Sequence, residues 1–446
     1  TGKTTVITEI VCQILRSDPK AKVLLTSQSH VAVDHAIKNI SKHLKDKKII
    51  RVGRSDKISH ESESLLMANQ LNNWVTTVKD HSKTALKEYL LKKLSLDEEQ
   101  IDEELKLLER PLTNMDKDES ELELAFLKPE ERQMKELIKV TKEWHLRLGK
   151  LDEFDEIFAE QASIIAATCL GIASRHALSD LTFDWVIVDE AARATAPELL
   201  VPIIKGKKIV LVGDHKQLPP VINSNVDKEI LKEHGLRKSD LEKSLFEDLF
   251  EKISEEAKIV LQSQFRMHPI IAKLIGDVFY PEANIKTKKK PEERMHLLKW
   301  WPKSIIWLDT QNLPNNAEQD VKPSKRNDAE AKVILRCLEE IEKVYSEAGM
   351  SISVGVITGY DAQKSLLNNL IKPYDTGKWK SIEIVINNVD AFQGSETDIA
   401  IYSVVRNNDE NKLGFLSDSR RLNVALSRGK TCLIIVGNAK FAEKAE

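Results

Sequence analysis

The apolar positions of this chain follow two rhythms. The first is a set of short, nearly continuous apolar runs that each end in polar residues: "KVLLTS" (Lys22 to Ser27), "DWVIVDE" (Asp184 to Glu190) and "KIVLVGD" (Lys208 to Asp214). Such runs predict strands buried on both faces, as in parallel sheets with helical crossovers. Their polar ends then lie along one carboxyl edge, where open α/β sheets take their ligands. The same rhythm returns in "SIIWLDT" (Ser304 to Thr310), "SVGVITGY" (Ser353 to Tyr360), "DIAIYSVV" (Asp398 to Val405) and "TCLIIVGN" (Thr431 to Asn438). Helical spacing fills Asp328 to Ser346 and Asp361 to Ile371. The expected fold class is α/β, two tandem domains with parallel sheets flanked by helices, joined near Ser239 to Lys258. The first domain covers 1–60 and 162–245, the second 246–446.

A different rhythm occupies 61–161, which has no strand-like run. After Pro129, a first-turn proline, Met134, Leu137, Val140, Trp144, Leu148, Leu151, Phe154 and Phe158 recur every three or four residues. That spacing predicts one apolar stripe on a helix of about thirty residues, about 45 Å long. The preceding "SLDEEQIDEELKLLER" is acidic and helix-prone, and reads as a solvated face. The whole piece is expected to be a helical insertion projecting from the first domain.

Composition narrows the class further. The chain has 446 residues, enough for two or three cores, with 41% hydrophobic and 31% charged residues, as in globular proteins. No apolar run approaches the length that spans a bilayer, and no membrane partner is expected. Cys12, Cys169, Cys337 and Cys432 are widely separated and form no C-x-x-C pair, which argues against a zinc site or a disulfide framework. A reducing, cytoplasmic location is the expectation, or a nuclear one in a eukaryote. The net charge of −3 gives no global basic signature, so any nucleic-acid binding must be a local groove.

The chemistry begins at "TGKTT". Gly2-Lys3-Thr4 ahead of an amphipathic helix is the last third of a phosphate-binding loop, in which backbone N–H groups and the helix N-terminus hold phosphates. Alone, G-K-T is ambiguous. "WVIVDEAA" supplies a second half: Asp189 to hold Mg²⁺ through water beside the Thr4 hydroxyl, and Glu190 to polarise the attacking water. In "LVGDHKQLPPV", Gln217 is placed by the rigid Leu218-Pro219-Pro220 to report a γ-phosphate. "SQFRMHP" sets Phe265 beside Arg266, and "RRLNVALSRGK" spaces Arg421 and Arg428 by two helical turns, which allows both to share one face. Arginine forks suit phosphate oxygens and stabilise developing charge. The run "KTKKKPEER" (Lys286 to Arg294) reads either as a strand-guiding patch or, more readily, as a solvated loop.

Taken in order, "GKTT", "TSQSHVAVD", "ATCLG", "VIVDEAA", "LVGDHKQLPP", "SQFRMHP", "VITGYDAQ", "VDAFQGSETD" and "RRLNVALSRGK" resemble superfamily I helicases of the up-frameshift and senataxin-like branch, over nearly the whole chain. The resemblance implies two RecA-like P-loop domains closing on one ATP with Mg²⁺, and a monomeric motor stepping along single-stranded RNA or DNA, 5′ to 3′. It assigns Gly2, Lys3, Thr4 and Thr5 to the phosphate loop, Thr4 and Asp189 to the metal, and Glu190 to hydrolysis. Gln217 becomes the γ-phosphate sensor, Arg266 and Arg428 the trans-domain phosphate ligands, Phe265 the adenine-stacking ring, and Glu396 a contact near the ribose. Strand contacts match Ser27, Ser29, His30, Val31 and Thr168 in the first domain, and Thr358 with Tyr360 in the second. Phe265 stands where tyrosine is common, Gly359 where proline is frequent, and "LSRGK" replaces a threonine-arginine-alanine ending. The resemblance also implies that the loop begins upstream of Thr1, so that the polypeptide starting at Thr1 is expected to bind ATP poorly or not at all. An ATP-gated clamp that unwinds little, and a P-loop enzyme acting on a small molecule, are the competing readings.

Overall fold

The computed structural model describes residues 2–94, 97–109, 127–148, 150, 154–175, 178–221, 233, 235, 244–371 and 377–445. Helix α1 (Lys3–Ser17) leads into β1 (Val23–Ser27), whose five residues are all buried. Then come α2 (His30–His43), β2 (Ile49–Arg51), a helical stretch, β3 (Ile164–Thr168), β4 (Phe183–Asp189) and β5 (Gly206–Leu211). These strands form one sheet in the order β2-β3-β1-β4-β5, with β1 parallel to β3 and β3 parallel to β2. Strand β1 fits the expectation of burial on both faces because it has a neighbour on each side. Strand β5 does not: it is the edge, and Ile209 is 42% exposed. Two strands escaped the apolar-run reading. Strand β2 has only three residues, and two of the five residues in the "IIAAT" of β3 are alanine, which weakens the strand signature.

The helical stretch holds α3 (Met67–Tyr89), α4 (Glu98–Leu105), α5 (Pro129–Leu148) and α6 (Asp155–Glu160). The expected thirty-residue helix is not continuous. It stops at Leu148, ahead of Gly149 in the sequence, as helices commonly do before glycine. Its buried face is Met134, Ile138, Lys142, His145 and Leu148, whereas Val140 and Trp144 are 64% and 41% exposed. The stripe is therefore rotated from the predicted one, and Leu151 lies outside the described residues. Helix α4 is not a purely solvated acidic face either: Ile101 and Leu105 join Leu90, Met134 and Ile138 in a small core. On its outside, Glu98 and Asp102 pair with Lys87 at 2.9 and 2.7 Å.

After α7 (Ala196–Ile203) and α8 (Leu245–Lys252), the pair β6 (Ser263–Gln264) and β7 (Lys286–Thr287) brackets α9 (Pro269–Phe279). The second sheet contains β8 (Ile305–Asp309), β11 (Ile352–Thr358), β12 (Ile382–Asn388), β13 (Thr397–Ser403) and β14 (Gly429–Gly437). The small antiparallel hairpin β9 (Gln319–Val321) and β10 (Ser324–Arg326) lies outside it. Strand order is β12-β11-β13-β14-β8, parallel throughout. Alternation along its strands explains the two cores. Ala400, Tyr402, Leu433 and Ile435 face a cluster with Ile271 and Ile275 of α9, and Ile399, Ile401, Cys432 and Ile434 face Ile334, Leu338 and Ile341. The latter three lie on α10 (Asp328–Glu347), which is followed by α11 (Asp361–Ile371). Helix α12 (Ser419–Leu426) precedes β14, and α13 (Ala439–Lys444) ends the described chain.

Packing divides the chain into two compact units. One comprises Thr1–Ile10, Ile187–Leu200 and Val210–Glu446, and the other Val11–Val186 with Val201–Ile209. The division crosses β4 rather than the expected join near Ser239 to Lys258. Among the described residues no helix is long and apolar enough to cross a membrane.

Candidate nucleotide site and nucleic-acid edges

The first unit holds all the residues expected at the phosphates. Gly2, at φ +96°, makes the turn into α1, and its carbonyl accepts from Val6. Lys3 and Thr4 open that helix, and Thr5 lies exposed on its first turn. The Lys3 ammonium donates to Glu190 Oε1 at 2.8 Å, with both side chains about one fifth exposed (21% and 19%). Burial works against the charge on Lys3, but Glu190, Asp189 and Asp214 outweigh it and hold the ammonium above its ordinary pKa. Burial also works against Glu190, and Lys3 and then Arg428 overcome it, holding this carboxylate below its usual range.

Strand β4 delivers the acidic pair. Asp189 is 5% exposed and accepts the Glu190 N–H at 2.9 Å. Burial, then the charge of Glu190, push the Asp189 carboxyl up to about 6, and Lys3 offsets only part of that. Glu190 itself has φ +52°, a left-handed backbone that is costly for a side-chain-bearing residue and that recurs at functional sites. A buried carboxylate short of positive charge, together with a threonine hydroxyl, offers the oxygen donors a hard divalent cation takes. Asp189 and Thr4 therefore fit Mg²⁺.

The next strand end is fitted closely to this pair. A Cβ at Gly213 would lie 2.9 Å from the Ala192 backbone nitrogen, so only glycine permits the approach. Asp214 then organises the turn that carries Gln217: its carboxylate accepts the Lys216 N–H at 3.1 Å and the Gln217 side-chain amide at 2.8 Å. Leu218, 2% exposed, anchors the turn in the core shared with Met267 and Ile271.

Two arginine expectations need correction. Arg421 and Arg428 do not share a helix face. Helix α12 ends at Leu426 with Ser427 as its cap, and Arg428 follows in the link to β14. The resemblance further implies that Arg266 and Arg428 gain their partner only when a γ-phosphate is present, and here both already have protein partners. Arg266 Nε donates to Glu396 Oε2 at 2.7 Å. Arg428 is 2% exposed, and Nε, Nη1 and Nη2 donate to Val424 O, Ser395 O and Ser427 Oγ at 2.8, 3.2 and 2.8 Å. Burial, then repulsion from Arg266, lower the Arg428 pKa to about 10, so it stays cationic at neutral pH. Three of the five N–H groups of a guanidinium are thus fixed by the protein, which aims the remaining donors. Glu396, expected near a ribose, is held between Arg266 and Lys430, whose charges keep it ionised against its burial. Phe265 is 53% exposed, as a stacking ring must be. Behind it, Arg294 donates to Arg266 O and Phe265 O at 2.7 and 3.3 Å. The basic run thus contributes a brace for the Phe265–Arg266 turn.

The expected strand contacts separate into exposed and interior residues. In the second unit, Ser29 caps α2 by accepting the Ala32 N–H at 3.2 Å, and Val31 is 78% exposed. His30 is oriented from behind by a residue the motif reading missed. Arg51, fully buried, donates to Asp34 at 2.7 Å and approaches His30 Nδ1 at 3.1 Å. Arginine can only donate, so Nδ1 accepts and the ring proton sits on Nε2. Burial and the Arg51 charge lower the His30 pKa accordingly. Thr168 accepts the Gly171 N–H at 3.1 Å, a turn role that leaves it partly exposed. Ser27 and, in the first unit, Thr358 are 0% exposed and Tyr360 is 8% exposed. Direct contact through those three side chains is not available in this conformation. The Tyr360 hydroxyl instead accepts from Arg406 at 3.3 Å, and Thr358 accepts the Tyr360 N–H at 3.4 Å.

That edge of the second sheet is built on a buried polar network. Asn327 caps α10, and Gln363 bonds the Asn327 backbone at 2.8 and 3.2 Å and Ser403 at 3.0 Å. Glu330, fully buried, accepts from Ser403 Oγ at 2.7 Å and from the Val405 N–H at 2.9 Å. Val405 has φ +68°, an outlier for a β-branched residue. The spacing Asn-x-x-Glu is a helix-start signature that could have flagged both residues, but not where the carboxylate goes.

Comparison with known proteins gives the family of the chain. Residues 1–225 match one AAA-domain family and residues 241–440 a second. The chain is 32% identical over 471 residues to the uncharacterized ATP-dependent helicase MJ0104 of Methanocaldococcus jannaschii, across 100% of this chain and 65% of that protein. It is 36% identical over 293 residues to a regulator of nonsense transcripts 1 homolog of Neurospora crassa, across 64% of this chain and 25% of that protein. It is also 28% identical over 476 residues to DNA polymerase alpha-associated DNA helicase A of Saccharomyces cerevisiae, across 100% of this chain and 62% of that protein. The chain therefore spans less than two thirds of each of these relatives. With a phosphate loop, an acidic pair, a sensor turn and two arginine motifs in family order, the chain belongs to the AAA-domain family of superfamily I helicases, in its up-frameshift-like branch.

Proposed function

We propose that this protein hydrolyses ATP and uses the cycle to move along single-stranded RNA or DNA, 5′ to 3′, as a helicase or translocase. The observation that carries the reading is that Lys3, Glu190 and Gln217, all partly buried, fall in one compact unit with the buried Asp189 and Arg428. Lys3 and the N-terminus of α1 bind the β- and γ-phosphates, for which the fixed dipole and ammonium need no rearrangement. Glu190, kept ionised by Lys3, accepts a proton from the attacking water once phosphate takes over the lysine. Arg428, aimed by its three backbone and hydroxyl partners, and Arg266 place positive charge where the transferring phosphoryl group spreads its own. Mg²⁺ held by Thr4 and Asp189 would neutralise the phosphate oxygens. Phe265 offers its exposed face to the base.

Arg266 must leave Glu396 to reach a phosphate. This exchange of one anion for another makes the position of the Phe265–Arg266 turn depend on the nucleotide. On the nucleic-acid side, Ser29, His30, Val31 and Thr168 present polar and backbone groups. The His30 Nε2 proton is a neutral donor to a phosphate oxygen, and contacts of this kind read the backbone rather than the sequence. Thr358 and Tyr360 support their edge from inside.

The test is ATP turnover by the full-length protein with matched single-stranded RNA and DNA, followed by strand displacement. Stimulated turnover with displacement is the expected result, and Glu190→Gln should abolish turnover while nucleotide binding persists. Stimulation without displacement would favour the clamp. Turnover indifferent to nucleic acid would overturn the motor reading.

A further inference from the structure

Tyr280 belongs to none of the family-order motifs, yet it is the centre of the best-connected side-chain network beside the phosphate site. It lies just past α9, and its hydroxyl donates to Asp214 Oδ2 at 2.7 Å. The same carboxylate oxygen accepts the Gln217 amide at 2.8 Å. From the other side, the Asn423 amide on α12 donates to the Tyr280 hydroxyl and to Lys216 O, both at 2.8 Å. Asn423 is 0% exposed, and among the described residues its own Oδ1 has no partner. The two donor bonds fix the direction of this amide. One residue further along α12, Val424 O fixes Arg428 Nε at 2.8 Å.

We propose that Tyr280 is a positioning residue for ATP hydrolysis, a strut that fixes Gln217 and the Arg428 segment relative to each other through Asp214 and Asn423. The chemistry of the network sets the orientation of Gln217. Asp214 accepts and cannot donate, so the glutamine amide nitrogen must face it, and the carbonyl oxygen is left to accept a hydrogen bond from the attacking water. Tyr280 holds Asp214 in that attitude and closes the chain to Asn423. Sensor and arginine then keep one fixed spacing. The inference rests on the ATP-hydrolysis part of the proposed function and not on movement along a strand.

Tyr280→Phe removes one hydroxyl that is both donor and acceptor. On the full-length protein the expected result is a fall in kcat of about ten- to hundredfold, with the KM for ATP changed less than about twofold. A merely structural role would lower the melting temperature and the active fraction while leaving kcat per active site unchanged. Asn423→Asp gives a second route in case the phenylalanine variant folds poorly, because its carboxylate diverts the phenol from Asp214 and should produce the same loss. In a double-mutant cycle with Gln217→Ala, adding Tyr280→Phe should cost less than it does in the wild type, since one arm of the strut acts through Gln217 and the other through Asn423 and the Arg428 segment. Unchanged kcat per site in both single variants, a loss confined to KM, or losses that multiply in the cycle would overturn the inference. Intact ATP turnover without a response to nucleic acid would sink the motor reading while leaving the strut testable, and a wild type that does not hydrolyse ATP would sink both.

Discussion

Glu330 makes a pH dependence that can be worked out from its surroundings. It is fully buried and accepts hydrogen bonds from Ser403 and Val405, but no ion pair involving it occurs among the described residues. Burial pushes its carboxyl from 4.5 up to about 8, and the hydrogen bonds from Val405, Ser403 and Val404 pull it back only in part. Between pH 4.5 and 8 the folded protein therefore keeps a proton that the unfolded chain releases. Unfolding is then favoured by rising pH: stability from this group is greatest below about 4.5, declines across the window and levels off above about 8. Moving a carboxyl that far is worth up to ~5 kcal/mol, a large part of a typical folding free energy. Glu330→Gln keeps the shape and the acceptor for Val405 but has no proton to lose. Urea unfolding of both proteins at pH 5, 6, 7 and 8 should show near-equal stability at pH 5 and a growing advantage for the variant toward pH 8. A difference that stays constant over that range would mean that Glu330 is ionised when folded, and the reasoning would fail.

Two further outcomes follow from geometry. Arg51→Met strands the buried Asp34 carboxylate and should cost about 3–5 kcal/mol in chemical denaturation, because breaking one side of a buried pair leaves an uncompensated charge. Phe265→Ala should raise the KM for ATP by roughly tenfold or more, as loss of a stacking ring does, whereas Phe265→Tyr should bind nucleotide like the wild type in a fluorescent-nucleotide titration.

Where sequence reading succeeded, the signal was local. Apolar runs located β1, β4, β11, β13 and β14, because burial on both faces leaves its mark within five to nine consecutive residues, and they also located the edge strand β8, which is apolar in sequence although only partly buried. It failed where the local signal was diluted. Strand β12, "IEIVINN", alternates in exposure along one edge, and β3 is rich in alanine. Site residues were legible when a motif fixed them within a turn, as for Lys3 and Glu190. The partners of Arg266 and the strut through Tyr280 were not, because they join positions 130, 66 and 143 residues apart. No periodicity encodes such meetings. Only the completed fold brings them together. The same holds for the buried placement of Thr358 and Tyr360, whose motif names them without saying which way their side chains turn.

Val405 holds a backbone shape that glycine would adopt at little cost, and Glu330 and Asn327 grip its N–H and its carbonyl from the first turn of α10. A glycine there would act as a loose joint, able to absorb a push. The valine, with one well and two clamps, cannot give. The next residue, Arg406, meets the Tyr360 hydroxyl, so the start of α10 and the Tyr360 edge are tied through one corner that has a pawl's geometry and not a spring's.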